Sequence, residues 1–117
     1  MSSPEFFQDL PPGWRVVESK VTRLGDDEPP FGASYDDLLE DFITVHSDRL
    51  ELGLEVDWLP ERSPTGQFIL SAIDFSVPER LADSYAHPRR TFRTRSLHRV
   101  IDEMRAWMLE FTHDTVA

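Results

Sequence analysis

The chain has no cysteine, few glycines and no long apolar run, and each absence excludes a class of protein. Without cysteine among its 117 residues, it has no disulfide framework, no thiolate metal site and no cysteine nucleophile. Five glycines form no glycine-rich phosphate loop. The apolar runs are far shorter than the roughly 20 residues that span a bilayer. Residues 1–5 also lack the features of a secretory signal, so we expect a soluble cytoplasmic protein without membrane contact.

The histidines lack the spacing of a metal or catalytic site. His46, His87, His98 and His113 form no HxxxH or HExxH pair, which would place two imidazoles on one helix face. His98 and Asp102 are four residues apart, a spacing typical of a surface ion pair. No Gly-x-Ser-x-Gly motif is present. We therefore predict no catalytic residue, no metal and no cofactor, and a protein that acts by binding a partner.

Length and composition fit a single domain over residues 1–117. Apolar residues make up 39% of the chain and charged residues 29%, both within the globular range. A chain of this length buries roughly 65% of its extended-chain surface, which is enough for one hydrophobic core.

The clearest predicted strand spans residues 49–59. Its apolar residues alternate with polar ones, which is the pattern of a strand with one buried and one solvent-facing side. Glu51, Glu55 and Asp57 fall on the polar side. We therefore expect this side to be hydrated and acidic.

Three further segments complete the predicted sheet. Residues 67–76 carry apolar side chains on both sides, as in a central strand that is covered on both faces. Residues 14–24 are rich in β-formers, and residues 91–95 fit a short edge strand in which arginines discourage unwanted pairing. Residues 77–89 are predicted to be irregular or to contain a single helical turn.

Two helices are predicted. Ser34 begins a capping-box-like sequence, and helical spacing of apolar residues continues to about residue 46. Residues 43–45 are β-branched and also fit a strand, so the end of this helix stays open. Residues 96–112 form a strongly amphipathic helix. The prediction is an α+β fold: an antiparallel sheet of three to four strands, the C-terminal helix packed on one face, and a shorter helix near residues 35–45.

The net charge of −10 lies entirely in the first half of the chain. Residues 1–62 contain 15 acidic and 5 basic side chains, whereas residues 63–117 contain 7 of each. Such a field disfavours nucleic-acid and anionic-membrane contact and speeds the encounter with a basic partner. Improved solubility is the alternative interpretation.

Two acidic segments concentrate this charge. The first is a loop with three consecutive acids, and the second is the exposed side of the first predicted helix, called here the acidic ridge. In the ridge, like charges four residues apart each destabilise the helix by about 0.2–0.5 kcal/mol. A surface for a basic partner would explain this cost, and a simple solvated helix face is the alternative. The loop comprises Asp26, Asp27 and Glu28, and the ridge comprises Asp36, Asp37, Glu40 and Asp41.

A cluster of arginines has the opposite charge. Alone it would suggest phosphate contacts, but the strongly negative chain favours pairing with the acidic half. We therefore predict no nucleic-acid partner. The cluster comprises Arg89, Arg90, Arg93, Arg95 and Arg99.

The overall plan resembles the immunity proteins of bacterial polymorphic toxin systems, including those of contact-dependent growth inhibition. The resemblance covers about half of the chain, in the segments LELGLEVDWLPE (50–61), QFILSAIDF (67–75) and SLHRVIDEMRAWM (96–108). It implies a protein that caps the active site of a cognate toxin, often a nuclease with a basic cleft. An acidic surface suits that role because it can occupy the place of a phosphate backbone.

The leading hypothesis is therefore an immunity protein that binds a toxin with a basic surface. The acidic loop, the acidic ridge, Glu51, Glu55 and Asp57 would provide charge complementarity. Phe31 or Tyr35 would provide an aromatic anchor, unless these rings pack into the core. A small adaptor or chaperone-like module that dimerises through an apolar helix face is the second hypothesis. A small enzyme or ligand-binding domain with a deep polar pocket is the third.

Overall fold

The computed structural model describes residues 10–19 and 42–114. The acidic loop, Tyr35 and the acidic ridge lie outside these ranges, as does most of the helix predicted from Ser34. Within the described ranges the chain forms five strands, a short helix preceded by a 3₁₀ turn (Pro78–Arg80), and a long C-terminal helix. These elements are β1 (Arg15–Ser19), β2 (Ile43–Ser47), β3 (Leu52–Leu59), β4 (Gln67–Asp74), α1 (Leu81–Ala86), β5 (Arg90–Thr94) and α2 (Leu97–Asp114).

The strands of the described residues form one antiparallel sheet in the order β1-β2-β3-β4-β5. The predicted α+β class is confirmed, with one strand more than the upper expectation. The additional strand is β2, in the segment that sequence patterns left between helix and strand. The β-branched residues Ile43, Thr44 and Val45 favour a strand here, because their side chains pack well on a pleated surface.

The strand predicted from residue 49 begins three residues later. Residues 48–51 form the turn between β2 and β3, in which the backbone N–H of Leu50 donates to Ser47 Oγ at 3.2 Å. The N–H of Glu51 donates to the Asp48 carbonyl at 3.3 Å, and Glu51 has a φ of 52°. The alternation of apolar residues thus extends into a turn, where Leu50 is only half-buried.

The hydrophobic core lies between α2 and one face of the sheet, called here the helix-packed face. In β3 and β4 the even-numbered side chains point to this face, and Leu54, Val56, Trp58, Phe68 and Leu70 are all 0% exposed. From α2, the predicted apolar stripe covers them. Its members are Leu97, Val100, Ile101, Met104, Trp107, Met108 and Phe111, all of them buried.

Both ends of α2 are fixed by hydrogen bonds. Ser96 caps the N-terminus, where its Oγ accepts from the backbone N–H of Arg99 at 3.1 Å. Near the C-terminus, Trp14 Nε1 donates to Thr112 Oγ1 at 2.9 Å and links the start of the sheet to the last turn of the helix. These bonds hold α2 on the helix-packed face, so it does not cover the opposite face of the sheet.

Candidate functional site

The sheet face opposite α2, called here the polar face, carries a row of polar side chains across all five strands. Antiparallel register places Glu18 beside Thr44, Thr44 beside Glu55, Glu55 beside Ser71, and Ser71 beside Thr91. The row is buried at its centre and exposed at both ends. The acidic side predicted for residues 49–59 belongs to this face.

Glu55 occupies the centre of the polar face, and the prediction that it is hydrated is wrong. Its side chain is 7% exposed, and one carboxylate oxygen accepts a hydrogen bond of 2.9 Å from the Tyr85 hydroxyl. Tyr85 reaches it because α1 folds back against β4. Strand alternation identifies the side of a strand on which a residue lies, but not whether a distant segment covers that side. Glu55 therefore helps to organise the polar face rather than forming its outer surface.

Glu51 and Asp57 are the other two described residues of the predicted binding set. Asp57 is half-buried and neighbours Ile69 on β4, which in turn neighbours Arg93 on β5. Glu51 is exposed and lies in the β2–β3 turn rather than on the strand. The structure thus keeps Glu55 and Asp57 on one side of β3, as predicted, and places Glu51 in the turn before it.

Aromatic rings pack beside the polar row at the β2–β3 end of the sheet. The Phe75 ring lies 4.9 Å from the His46 ring and 6.2 Å from the Tyr85 ring, measured between centroids. Gly53 permits this arrangement, because a Cβ at that position would overlap the Phe75 ring and lie 3.0 Å from His46 Cδ2. Sequence patterns did not single out these rings, since their contacts join residues of three different elements, with 29 positions between His46 and Phe75 and 10 between Phe75 and Tyr85.

An open depression of about 200 Å³ lies next to these rings. It is smaller than the roughly 300–1,000 Å³ of most small-molecule sites. The residues that line it come from β2, the β2–β3 turn, the start of β3 and the residue after β4. They are His46, Ser47, Asp48, Glu51, Leu52 and Phe75.

Arg15 and Asp48 form an ion pair at the rim of this depression. The guanidinium donates two hydrogen bonds of 3.1 Å, one to each carboxylate oxygen. These bonds lower the pKa of Asp48 and raise that of Arg15. The pKa of His46 is lowered, first by partial burial and then by the positive charge of Arg15. His46 is therefore neutral at pH 7.

The segment between β4 and β5 exposes apolar side chains beside the aromatic rings. Val77, Leu81 and Tyr85 are spaced four residues apart and are 41%, 37% and 48% exposed. No residue of the 3₁₀ turn or of α1 is buried. The spacing is visible in the sequence, but the segment is too short for its periodicity to stand out. Exposed apolar side chains next to carboxylates are typical of protein interaction surfaces.

Two members of the arginine cluster, Arg90 and Arg95, pack against aromatic rings. Arg90 donates to both carboxylate oxygens of Glu110, at 2.7 and 3.2 Å, and lies 4.9 Å from the centre of the Phe111 ring. Arg95 donates to the Gly66 carbonyl and lies over Trp58. Arg90 thus pairs with a carboxylate of α2, within the second half of the chain.

Within residues 10–19 and 42–114, no group of three or more His, Asp or Glu side chains is arranged to hold a metal ion. In the same part of the chain, no helix has the length and apolarity needed to cross a membrane.

Comparisons with family models, curated proteins and solved structures find no match for this chain.

Proposed function

We propose that this chain is an immunity protein that binds and neutralises a protein toxin domain with a basic surface. The observation that carries the proposal is the polar face, where carboxylates and exposed apolar side chains lie together and α2 is absent. Tight protein interfaces combine such apolar anchors with a polar rim. The charge of −10, concentrated in residues 1–62, supports a basic partner. The resemblance of residues 50–61, 67–75 and 96–108 to immunity proteins supports a toxin.

The size of the depression suits a side chain of a protein partner. An opening of about 200 Å³ accepts a side chain more readily than a substrate of drug size. A protein that caps a toxin needs a broad surface instead, and the exposed ends of the polar row together with Val77, Leu81 and Tyr85 would provide one.

The first experiment identifies the partner. Genes of immunity proteins are expected next to those of their toxins, so a large secreted protein with a variable C-terminal domain should be encoded beside this chain. Co-expression of that domain with this chain should abolish its toxicity, and the two should co-purify as a complex. Undiminished toxicity and failure to bind would refute the proposal.

The second experiment tests the acidic ridge. The double variant Glu40→Lys/Asp41→Lys should slow association with the toxin and reduce its dependence on salt, since charge complementarity acts mainly on the association rate. The matched control is Glu61→Lys/Asp102→Lys, which changes the net charge equally at two exposed positions away from the polar face. Equal slowing in both variants would show that only net charge matters and would exclude the ridge from the interface.

The adaptor hypothesis can be compared with this proposal through the apolar surfaces. The stripe of α2 is buried against the sheet, so the apolar surface proposed for dimerisation is Val77, Leu81 and Tyr85; among the described residues, Val17 and Leu109 are also exposed. Sedimentation of the chain without a partner separates the two. A concentration-dependent dimer that Leu81→Asp disrupts would favour the adaptor.

A further inference from the structure

The depression at the β2–β3 end of the polar face has the chemistry of a receptor for one basic side chain. Two of its six lining residues, Asp48 and Glu51, are carboxylates, and none is an arginine or lysine. Its aromatic walls are His46 and Phe75, whose rings lie 4.9 Å apart. A carboxylate rim over aromatic rings matches the planar guanidinium, which stacks on rings while it donates to carboxylates.

The rim already shows this mode of binding within the chain. Arg15 approaches Asp48 from β1 and donates to both of its oxygens, at 3.1 Å each. Glu51 lies at the other end of the turn. Its backbone N–H donates to the Asp48 carbonyl, and its own carbonyl accepts a hydrogen bond of 2.8 Å from the N–H of Phe75. Because Asp48 is already paired with Arg15 and Glu51 is exposed, Glu51 is the charged acceptor that the depression offers to a second guanidinium.

The walls remain suited to a cation at neutral pH. Partial burial and the charge of Arg15 lower the pKa of His46, so the imidazole is uncharged and does not repel an incoming guanidinium. The absence of a Cβ at Gly53 leaves room for the Phe75 ring beside β3. The ring is thus packed next to the His46 ring before a partner arrives.

We propose that this depression receives an arginine side chain of the basic protein partner. The inference rests on the proposed function and names the group on the partner that the chain recognises. Glu51 accepts hydrogen bonds from the guanidinium, and Phe75 stacks against its plane. Val77, Leu81 and Tyr85 contact the apolar surface around that arginine, since the Tyr85 ring is 6.2 Å from the Phe75 ring.

The proposal can be tested without knowing the partner, by NMR titration of the full chain. The probe is N-acetyl-arginine-N-methylamide, and its matched control is the citrulline analogue, which has the same shape and no charge. At low salt we expect the arginine probe to shift the ring resonances of His46 and Phe75 with a Kd of about 1–10 mM, as befits one side chain. The citrulline analogue should bind at least about fivefold more weakly, because charged hydrogen bonds are roughly twice as strong as neutral ones.

Two variants locate the probe. Glu51→Gln should weaken binding of the arginine probe about threefold to tenfold, because it removes the charged acceptor. Glu61→Gln removes the same charge from the exposed β3–β4 turn and should leave the Kd unchanged. Equal shifts with both probes, equal weakening in both variants, or shifts that avoid His46 and Phe75 would overturn the proposal.

Failure of this proposal is distinguishable from failure of the proposed function. If Glu51→Gln binds the toxin domain with unchanged affinity, the chain is an immunity protein that uses another part of its surface. If the arginine probe binds as expected and no toxin is neutralised, the depression recognises a basic protein of another kind.

Discussion

The two faces of the sheet differ in how they are covered, and this difference separates stability from recognition. The helix-packed face is covered by the 18 residues of α2, and its central side chains are fully buried. The polar face carries a row of hydroxyl and carboxyl groups. Among the described residues, the helix that packs on it is α1, which has six residues and none of them buried. Free energy from apolar burial therefore comes mainly from the first face.

Neighbouring residues of β4 provide the largest test of this contrast. Leu70 is 0% exposed on the helix-packed face, whereas Ile69 is half-buried on the polar face. We expect Leu70→Ala to lower the free energy of unfolding by about 2–5 kcal/mol, because it leaves a cavity in the core. Ile69→Ala removes a side chain of the same size and should cost only about 1 kcal/mol, since part of that side chain is already hydrated.

Urea denaturation with a common m-value would measure both changes. Equal losses for the two variants would mean that the polar face is as tightly packed as the helix-packed face. The contrast between the faces would then be lost.

A smaller effect is expected at Gly53, where the polar face is most tightly packed. Gly53→Ala inserts a methyl group against the Phe75 ring and should cost about 1–3 kcal/mol, as overpacking does in protein interiors. In a Phe75→Ala background the same change should cost much less, because the overlapping ring is gone and only the closer contact with His46 Cδ2 remains. A double-mutant cycle measures this coupling. Additive effects would show that the ring does not depend on Gly53.

The sequence predicted the helix-packed face better than the polar face, for a physical reason. The core strands and α2 can be recognised from the periodicity of their apolar residues, because one side of each must be apolar along its whole length. Strand alternation places Glu55 on the correct side of β3, but its hydrogen bond with Tyr85 joins residues thirty positions apart. The depression likewise joins His46, Glu51 and Phe75, and no local pattern signals such a meeting.

The strand β2 shows where local signals compete. Residues 43–47 follow a segment with helical spacing, and only their β-branched side chains indicate a strand. Pairing with β1 and β3 decides the outcome, and pairing is a property of the assembled sheet. The acidic character of the candidate site can therefore be predicted from the sequence, whereas the spatial arrangement of its side chains cannot.

The smallest expected effect concerns pH and the imidazole of His46. Its pKa is lowered in the folded protein from an ordinary value of 6.5. As the pH falls below about 6.5, the unfolded chain binds a proton that the folded protein does not, so stability decreases until the pH passes the folded pKa. Above that window the histidine contributes nothing to the pH dependence. NMR titration of the His46 ring gives its pKa directly, and urea midpoints at pH 7.5 and 5.5 give the stability change.

Two variants distinguish the causes of this shift. His46→Gln should flatten the stability profile in the window below pH 6.5. Arg15→Gln should raise the His46 pKa, because the charge of Arg15 lowers it, but should not restore 6.5, because burial is the larger cause. Loss of the ion pair in that variant removes a stabilisation that is constant above about pH 4, because in the unmodified chain Asp48, with its lowered pKa, takes up a proton only in more acidic solution; it therefore does not change the slope near pH 6. A His46 pKa of 6.5 or more in the unmodified chain would show that the aromatic wall is hydrated and charged in acid, and the polar face would then be more open than its packing indicates.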